Sequence, residues 1–153
     1  MDRRKILTVI AATLLVALAA QPISSQTFRK PKPPPWDIAL HNVFVDAQTC
    51  QLWVTYKNLG ANTITQTVNY EVRVDGEFVQ GGLMNFNFDP IPFGGEHSHT
   101  VGASKNLKIY GTRTVRARID YTYILDEPPA RRANNELTKT VQGCPLPPMK
   151  PPT

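Results

Sequence analysis

The chain has 153 residues, and its 17 Lys and Arg against 12 Asp and Glu give a formal net charge of +5. The basic residues are dispersed along the sequence and do not form the basic cluster with interleaved aromatic residues that is typical of nucleic-acid-binding proteins. We therefore predict no nucleic-acid partner.

The first element in chain order is a predicted secretory signal peptide over residues 1–19, with cleavage as late as residue 25 as a variant. A basic start at residues 3–5 precedes an uncharged apolar run over residues 6–20, which ends in small residues of the kind that a signal peptidase reads. The run has about 15 residues, fewer than the roughly 20 that a helix needs to cross a bilayer. An uncleaved anchor and a twin-arginine export signal are the alternative interpretations.

Cleavage after residue 19 leaves 14 basic against 11 acidic residues, a net charge of +3, because the removed segment carries Asp2, Arg3, Arg4 and Lys5. The predicted mature protein is secreted or periplasmic and has no stable membrane span. The sequence does not predict its oligomeric state.

A proline-rich segment follows at residues 20–36, and a second one closes the sequence at residues 145–153. Proline lacks a backbone donor and favours an extended polyproline conformation. We interpret both segments as spacers on either side of one ordered domain. Binding of these prolines by aromatic grooves of other proteins is the alternative.

The intervening residues 37–144 show alternation of apolar and polar residues with period two and no helical period of useful length. In the fourth predicted strand, for example, Met84, Phe86 and Phe88 share one face. The pattern predicts about seven strands, at residues 38–45, 50–58, 66–74, 83–88, 97–102, 113–124 and 136–142. The sixth is the longest and is predicted to be central in its sheet.

Two strands depart from the alternation. The apolar phase of the first strand slips between Leu40 and Val43, which predicts a β-bulge near His41 and Asn42. In the last strand, Lys139 shares a face with apolar residues. An inward charge of this kind is expected only at an open sheet edge.

Seven short strands in about a hundred residues match a single immunoglobulin-like or fibronectin-III-like antiparallel β-sandwich, so we predict an all-β fold. Asp75 and Gly76 tolerate positive φ and predict a tight hairpin after the third strand. If consecutive strands alternate in direction, the start of the second strand and the end of the seventh lie at the same pole. Cys50 and Cys144 occupy these two places. An even pair of cysteines in an oxidising compartment predicts a disulfide, with two free thiols as the alternative.

Several short motifs, in order, resemble the CARDB family, the cell-adhesion-related domain of bacterial and archaeal surface proteins. The motifs cover nearly the whole ordered region: Asp-Ile-Ala-Leu at 37–40, Val-Thr-Tyr-Lys-Asn-Leu-Gly at 54–60, Val-Asp-Gly at 74–76, Phe-Gly-Gly-Glu at 93–96, Val-Arg-Ala-Arg-Ile-Asp at 115–120 and Asn-Asn-Glu-Leu-Thr-Lys-Thr-Val at 134–141. The resemblance implies the same sandwich over residues 37–144 and, loosely, a role in adhesion. It carries over no catalytic residues.

Arginine side chains of two predicted neighbouring strands form the main candidate contact surface. Arg73 on the third strand and Arg116 and Arg118 on the sixth have the outward phase. Glu71 and Asp120 share this surface, so cross-strand charge pairing is the simplest interpretation. Recognition of an anionic glycan or an acidic protein surface is the alternative.

Trp53 has the outward phase of the second strand, on the other sheet. An exposed tryptophan often anchors a protein contact. Coverage of this side chain by the N-terminal proline-rich segment is the alternative.

Two groups of residues are weak candidates for metal ligands. His97 and His99 are two residues apart on a predicted strand and so share one face, but no third ligand can be placed beside them. An exposed polar strand is the favoured interpretation. Asp126 and Glu127 belong to an acidic turn whose oxygen atoms could hold calcium, although satisfaction of backbone groups by the turn's polar side chains is favoured. We predict no metal and no cofactor.

No nucleophile, base and carboxylate in a recognisable arrangement occurs in the sequence, so we predict that the protein is not an enzyme. The leading prediction is an exported interaction or adhesion module that binds a protein or a glycan at the cell envelope or outside the cell. The alternatives are a periplasmic protein that binds a metal or small ligand, and a structural spacer of a surface assembly.

Overall fold

The computed structural model describes residues 32–148. The predicted signal peptide lies outside the described residues, as do most of the first proline-rich segment and the end of the second, so their bounds stay predictions. No helix among residues 32–148 is long and apolar enough to span a membrane.

The described chain folds into two antiparallel sheets that enclose one apolar core. A three-stranded sheet has the order β1-β2-β5, and a four-stranded sheet has the order β4-β3-β6-β7. The strands are β1 (Ile38–Val45), β2 (Leu52–Asn58), β3 (Thr67–Val74), β4 (Glu77–Asn85), β5 (Glu96–Val101), β6 (Thr112–Ile119) and β7 (Glu136–Gln142). The predicted all-β sandwich of seven strands is confirmed.

The core follows from the alternation, because every second side chain of a strand points to the same face of its sheet. Leu52, Val54 and Tyr56 of β2 are fully buried, and they meet Val68 and Val72 of β3 in the same cluster. Burial of each large apolar side chain contributes about 1.5–3 kcal/mol relative to leaving it exposed. The apolar face of each sheet therefore fixes how the two sheets pack.

Both irregular strands are explained. The pairing of β1 with β2 shifts register between Leu40 and Asn42, which confirms the predicted bulge. β7 ends the four-stranded sheet, which confirms the open edge that Lys139 requires. The Lys139 ammonium is exposed there and donates a hydrogen bond of 2.8 Å to Oδ1 of Asn42, so the bulge of one sheet holds the charged edge of the other.

The predicted bounds of the fourth strand are wrong. The strand was expected at residues 83–88 but begins at Glu77, directly after the Asp75-Gly76 hairpin, and ends at Asn85. Asn87 then donates its backbone N–H to Oδ1 of Asn85, so the chain turns out of the sheet. As a result Phe86 is buried, but Phe88, expected on the same face, is 90% exposed.

The predicted end of the sixth strand is also wrong. β6 lies in the interior of its sheet, as expected, but it stops at Ile119, short of residue 124. Asp120 has a positive φ of 47° and turns inward, where its carboxylate accepts hydrogen bonds from the backbone N–H groups of Ile124 and Leu125. Asp120 is therefore fully buried, and its expected outward position beside Arg116 and Arg118 is wrong.

The predicted disulfide is present. Cys50 and Cys144 are bonded, with their Cα atoms 5.5 Å apart and 94 positions apart in sequence. Ile109 lies between the two cysteine segments, because its N–H donates to the carbonyl of Cys50 and its carbonyl accepts from Cys144. The start of β2 and the end of β7 thus meet at one pole, as the strand count predicts.

Candidate functional site

The outer surface of the four-stranded sheet carries a charged group that we call the arginine face, formed by Arg73, Arg116, Arg118, Glu71 and Glu136. The register of β3 and β6 places Arg73 directly opposite Arg116, and Glu71 directly opposite Arg118. Glu136, the first residue of β7, is opposite Arg118 on the other side of β6. Three adjacent strands therefore position the five side chains.

Ion pairs order this surface. Nε of Arg73 lies 2.7 Å from Oε1 of Glu71, and Arg116 holds Glu136 with two donors, Nε at 2.7 Å and Nη2 at 2.9 Å. Arg118 is 3.4 Å from the same Glu136 carboxylate. The hydrogen bond from Arg73 lowers the pKa of Glu71, and the one from Arg116 lowers the pKa of Glu136, so both carboxyls are ionised at neutral pH.

Cross-strand pairing of these charges was the simplest interpretation of the sequence, and it is observed between β6 and β7, whereas Glu71 pairs with Arg73 of its own strand. One partner differs, because Glu136 of β7 takes the place expected for Asp120. Alternation could not reveal Glu136, since it becomes a neighbour only through the order of strands in the sheet.

The arginine face keeps an excess of donors. Three guanidinium groups face two carboxylates, and the side chains of Arg73, Arg116 and Arg118 remain 39%, 46% and 32% exposed. A guanidinium carries five N–H donors in a planar fork, which suits carboxylate, sulfate or phosphate groups. The surface can therefore present free N–H groups to an anionic partner while its carboxylates hold the arginines in place.

Two exposed apolar side chains border the arginine face. Phe78 of β4 is opposite Arg73, and Leu83 is opposite Asn69, so both point outward from the same sheet. They are 58% and 72% exposed. Leu83 lies inside the predicted fourth strand, in the phase opposite to Met84, whereas Phe78 precedes the predicted bounds because that strand was placed too late. The Asp75-Gly76 turn is the signal for Phe78, since a two-residue hairpin fixes where the next strand starts.

Trp53 lies on the other sheet and points outward, away from the arginine face. It is half-buried, and its ring stacks on Phe44, the residue opposite it on β1, with centroids 6.4 Å apart and an interplanar angle of 11°. The pair forms a small aromatic patch that is separate from the arginines.

His97 and His99 share one face of β5, but that face points into the sandwich, so the interpretation as an exposed polar strand is wrong. Nδ1 of His97 is 2.7 Å from the Asp89 carboxylate. His99 stacks on Tyr56 with centroids 5.5 Å apart, and meets the edge of Tyr70 at 5.2 Å. Burial, with a smaller contribution from His97, lowers the pKa of His99 to about 4, so this ring is neutral at pH 7.

The two acidic residues of the turn differ in their exposure to solvent. Asp126 is exposed, whereas Glu127 is buried and accepts hydrogen bonds from the backbone N–H of Ile38 at 2.6 Å and from Nδ2 of Asn135 at 2.7 Å. Burial raises the pKa of Glu127. Glu127 thus ties the first strand to the segment before β7. Across residues 32–148, no three His, Cys, Asp or Glu side chains are grouped so that they could hold a metal ion.

The fold is similar to that of solved CARDB domains. The crystal structure of the CARDB domain of a Pyrococcus furiosus protein, in complex with di-metal ions, is 15% identical, covers 74% of this chain and 93% of its own, and superposes with a TM-score of 0.50. A solution NMR structure of that domain from the same organism is 17% identical, covers 76% and 99%, and has a TM-score of 0.42. No protein-family model matches the sequence, and no curated protein matches it. The chain therefore has the fold of a CARDB domain.

Proposed function

We propose that the chain is an exported, non-catalytic interaction module whose arginine face binds an anionic protein or glycan surface, at the cell envelope or outside the cell. The observation that carries the proposal is the order of Arg73, Arg116 and Arg118 on adjacent strands, held by Glu71 and Glu136.

The rigidity of the arginine face favours binding. Arg73 and Arg116 belong to β3 and β6, which both have hydrogen-bonded neighbours on either side. Ordering a long side chain on binding costs about 0.5–1.5 kcal/mol, and this cost falls when the side chain is already held. Arginine is also one of the residue types that most often dominate binding energy in interfaces.

Export is supported by two features. The sequence begins with the basic and apolar pattern of a secretory signal. The domain also closes a disulfide between Cys50 and Cys144, and such bonds persist mainly in oxidising compartments outside the cytoplasm.

The non-catalytic assignment is supported by the contacts of the candidate reactive groups. His97 faces Asp89, His99 is enclosed by Tyr56 and Tyr70, and both cysteines are bonded to each other. Metal binding as an alternative function has no specific observation in its favour here, because the oxygens of Glu127 already accept hydrogen bonds from Ile38 and Asn135. The di-metal ions belong to the archaeal domain.

The proposal is tested by screening the purified protein against envelope proteins and glycans, and then measuring the dissociation constant of each partner for two charge-reversal variants. Arg116→Glu removes a central donor of the arginine face. Arg113→Glu is the matched control, because Arg113 lies on the same strand and is also 46% exposed, but pairs with Asp75 outside the arginine face.

We expect Arg116→Glu to weaken binding at least tenfold, or about 1.4 kcal/mol, and Arg113→Glu to change it less than threefold. Binding should also weaken as salt rises, since exposed charges are screened. Equal losses in the two variants, or the absence of any specific partner in the screen, would count against the arginine face as a binding site.

A further inference from the structure

β4 leaves one edge of the four-stranded sheet open. It is nine residues long, and among the described strands it pairs with β3 alone. An open edge presents a row of backbone N–H and C=O groups that can pair with another strand. We propose that β4 of a second copy of this chain adds to this edge, antiparallel to the first, so that two four-stranded sheets join into one of eight strands.

Charge favours this edge over the opposite one. β4 carries no charged residue after Glu77, so two copies of it can lie antiparallel without opposing like charges. Self-pairing of β7 about Lys139 would instead place two ammonium groups against each other. Lys139 is also bound to Asn42 of the other sheet. Self-pairing at β4 therefore opposes no like charges, whereas self-pairing at β7 about Lys139 does.

The side chains of β4 fit each other in one register. Residues directly opposite in an antiparallel pair point to the same face. With Gly82 at the twofold axis, Leu83 of each copy lies opposite Gly81 of the other on the outer surface. Gly81 has no side chain there, and a Cβ on it would lie 3.0 Å from Cε2 of Phe78, so the ring of Phe78 covers this position.

Leu83 of one copy would therefore pack on Phe78 of the other, twice by symmetry. These are the two most exposed apolar side chains of the strand, 72% and 58%. Twofold dimers in which the same patch meets itself are the commonest soluble oligomers. The β4 edge thus carries both Leu83 and the surface that Leu83 of a second copy would contact, the Phe78 ring over Gly81.

A cavity at the edge of β4 also fits this register. Gln80 lies opposite Met84 of the second copy, and Gln80 lines a cavity of about 320 Å³ between β4 and the turn after β5. Its wall is completed by other residues of β4 and by residues of β3 and the turn: Phe78, Val79, Gly81, Tyr70, Gly102, Ser104 and Lys105. The flexible Met84 side chain of the second copy would enter the mouth of this cavity, where it fills space that one copy leaves open.

The joined sheet would place two arginine faces side by side on one continuous surface. A multivalent partner could then bind both, which raises its overall affinity without any new kind of contact. This consequence rests on the proposed function, whereas the dimer itself does not.

The first test is the mass of the purified full chain by light scattering and sedimentation between about 1 and 100 μM, a range that brackets typical weak dimers. We expect a dimer, and we expect Leu83→Lys to raise the dissociation constant of the dimer more than tenfold. Leu146→Lys is the matched control, because Leu146 is 73% exposed but lies outside β4, and it should leave the dimer unchanged. A monomer at 100 μM, or a dimer that tolerates Leu83→Lys, would overturn the proposal.

The second test measures the register and does not depend on Leu83. A nitroxide label at Glu77→Cys should lie about 33 Å from its symmetry mate. Position 77 is five residues from the twofold axis at Gly82 in each copy, so ten residues at roughly 3.3 Å each separate the two labels along the paired strands. Pulsed electron-spin measurements that give no distance, or one near 26 Å or 40 Å, would contradict the pairing of Gly81 with Leu83.

Discussion

At the scale of single residues, Asn58 joins the loops of one pole. It is fully buried at the end of β2. Its Nδ2 donates to the carbonyls of Asn62 and Ile91, both at 2.8 Å, and its Oδ1 accepts from the N–H of Gly60 at 2.9 Å. A buried polar group without partners is costly, and the Asn58 amide here finds partners in three backbone groups of the surrounding loops.

Asn58→Ala should lower the free energy of unfolding by about 2–4 kcal/mol, because three side-chain hydrogen bonds at a buried position are lost together. Urea unfolding followed by circular dichroism measures the change. Asn62→Ala is the control, because Asn62 is exposed and takes part through its backbone. If both variants unfold at the same urea concentration, Asn58 does not have this role.

His99 gives the domain a pH dependence. Its pKa is about 4 in the folded state and close to 6.5 when exposed in the unfolded chain, so the unfolded state binds more protons between these values. The contribution of neutral His99 to the free energy of unfolding is fully present at pH 7, and it is lost as the pH falls through 6.5 towards 4. The largest loss is about 3 kcal/mol.

His99→Phe should remove this contribution, because phenylalanine keeps an aromatic ring between Tyr56 and Tyr70 but cannot take up a proton. Thermal unfolding of both proteins from pH 7 to pH 4 should show the variant gaining stability relative to the wild type as the pH falls. The carboxyl groups titrate in both proteins, so their contribution to the pH dependence cancels in the difference between the two. Parallel curves over this range would show that His99 is accessible to water in the folded state.

At the scale of elements, the sequence predicts strands well where one face is buried. β1 and β7 have the predicted bounds, and the slip of the apolar phase in β1 marks its bulge. Alternation also places Arg73, Arg116 and Arg118 outward, because their strands bury the opposite face. These features depend on local pattern, which a sequence carries directly.

The ends of β4 and β6 could not be found in the same way. Beyond Ile119, Tyr121 and Tyr123 continue the alternation, but the Asp120 carboxylate binds backbone groups four and five residues further on and ends the strand. Phe88 likewise continues a period after the chain has left the sheet. Side-chain hydrogen bonds with the backbone compete with sheet pairing, and periodicity contains no signal for them.

At the scale of the whole molecule, the disulfide closes a ring over most of the domain. Loop entropy assigns roughly 4–5 kcal/mol to a ring of this size as an upper estimate. Replacing both Cys50 and Cys144 by Ala should therefore lower the urea midpoint substantially, since domains of this kind are stable by about 5–15 kcal/mol. The intact mass of the wild type should be two hydrogens below that of the reduced chain. A fully reduced mass without added reductant would contradict the bridge.

The central claim is that the arginine face binds the partner, and nuclear magnetic resonance mapping of the ¹⁵N-labelled protein tests it most directly. On addition of a partner from the screen, we expect shifts in the backbone amides of β3 and β6 and in the side-chain Nε–H groups of Arg73 and Arg116. Shifts confined to Phe44 and Trp53 on the other sheet would contradict the claim.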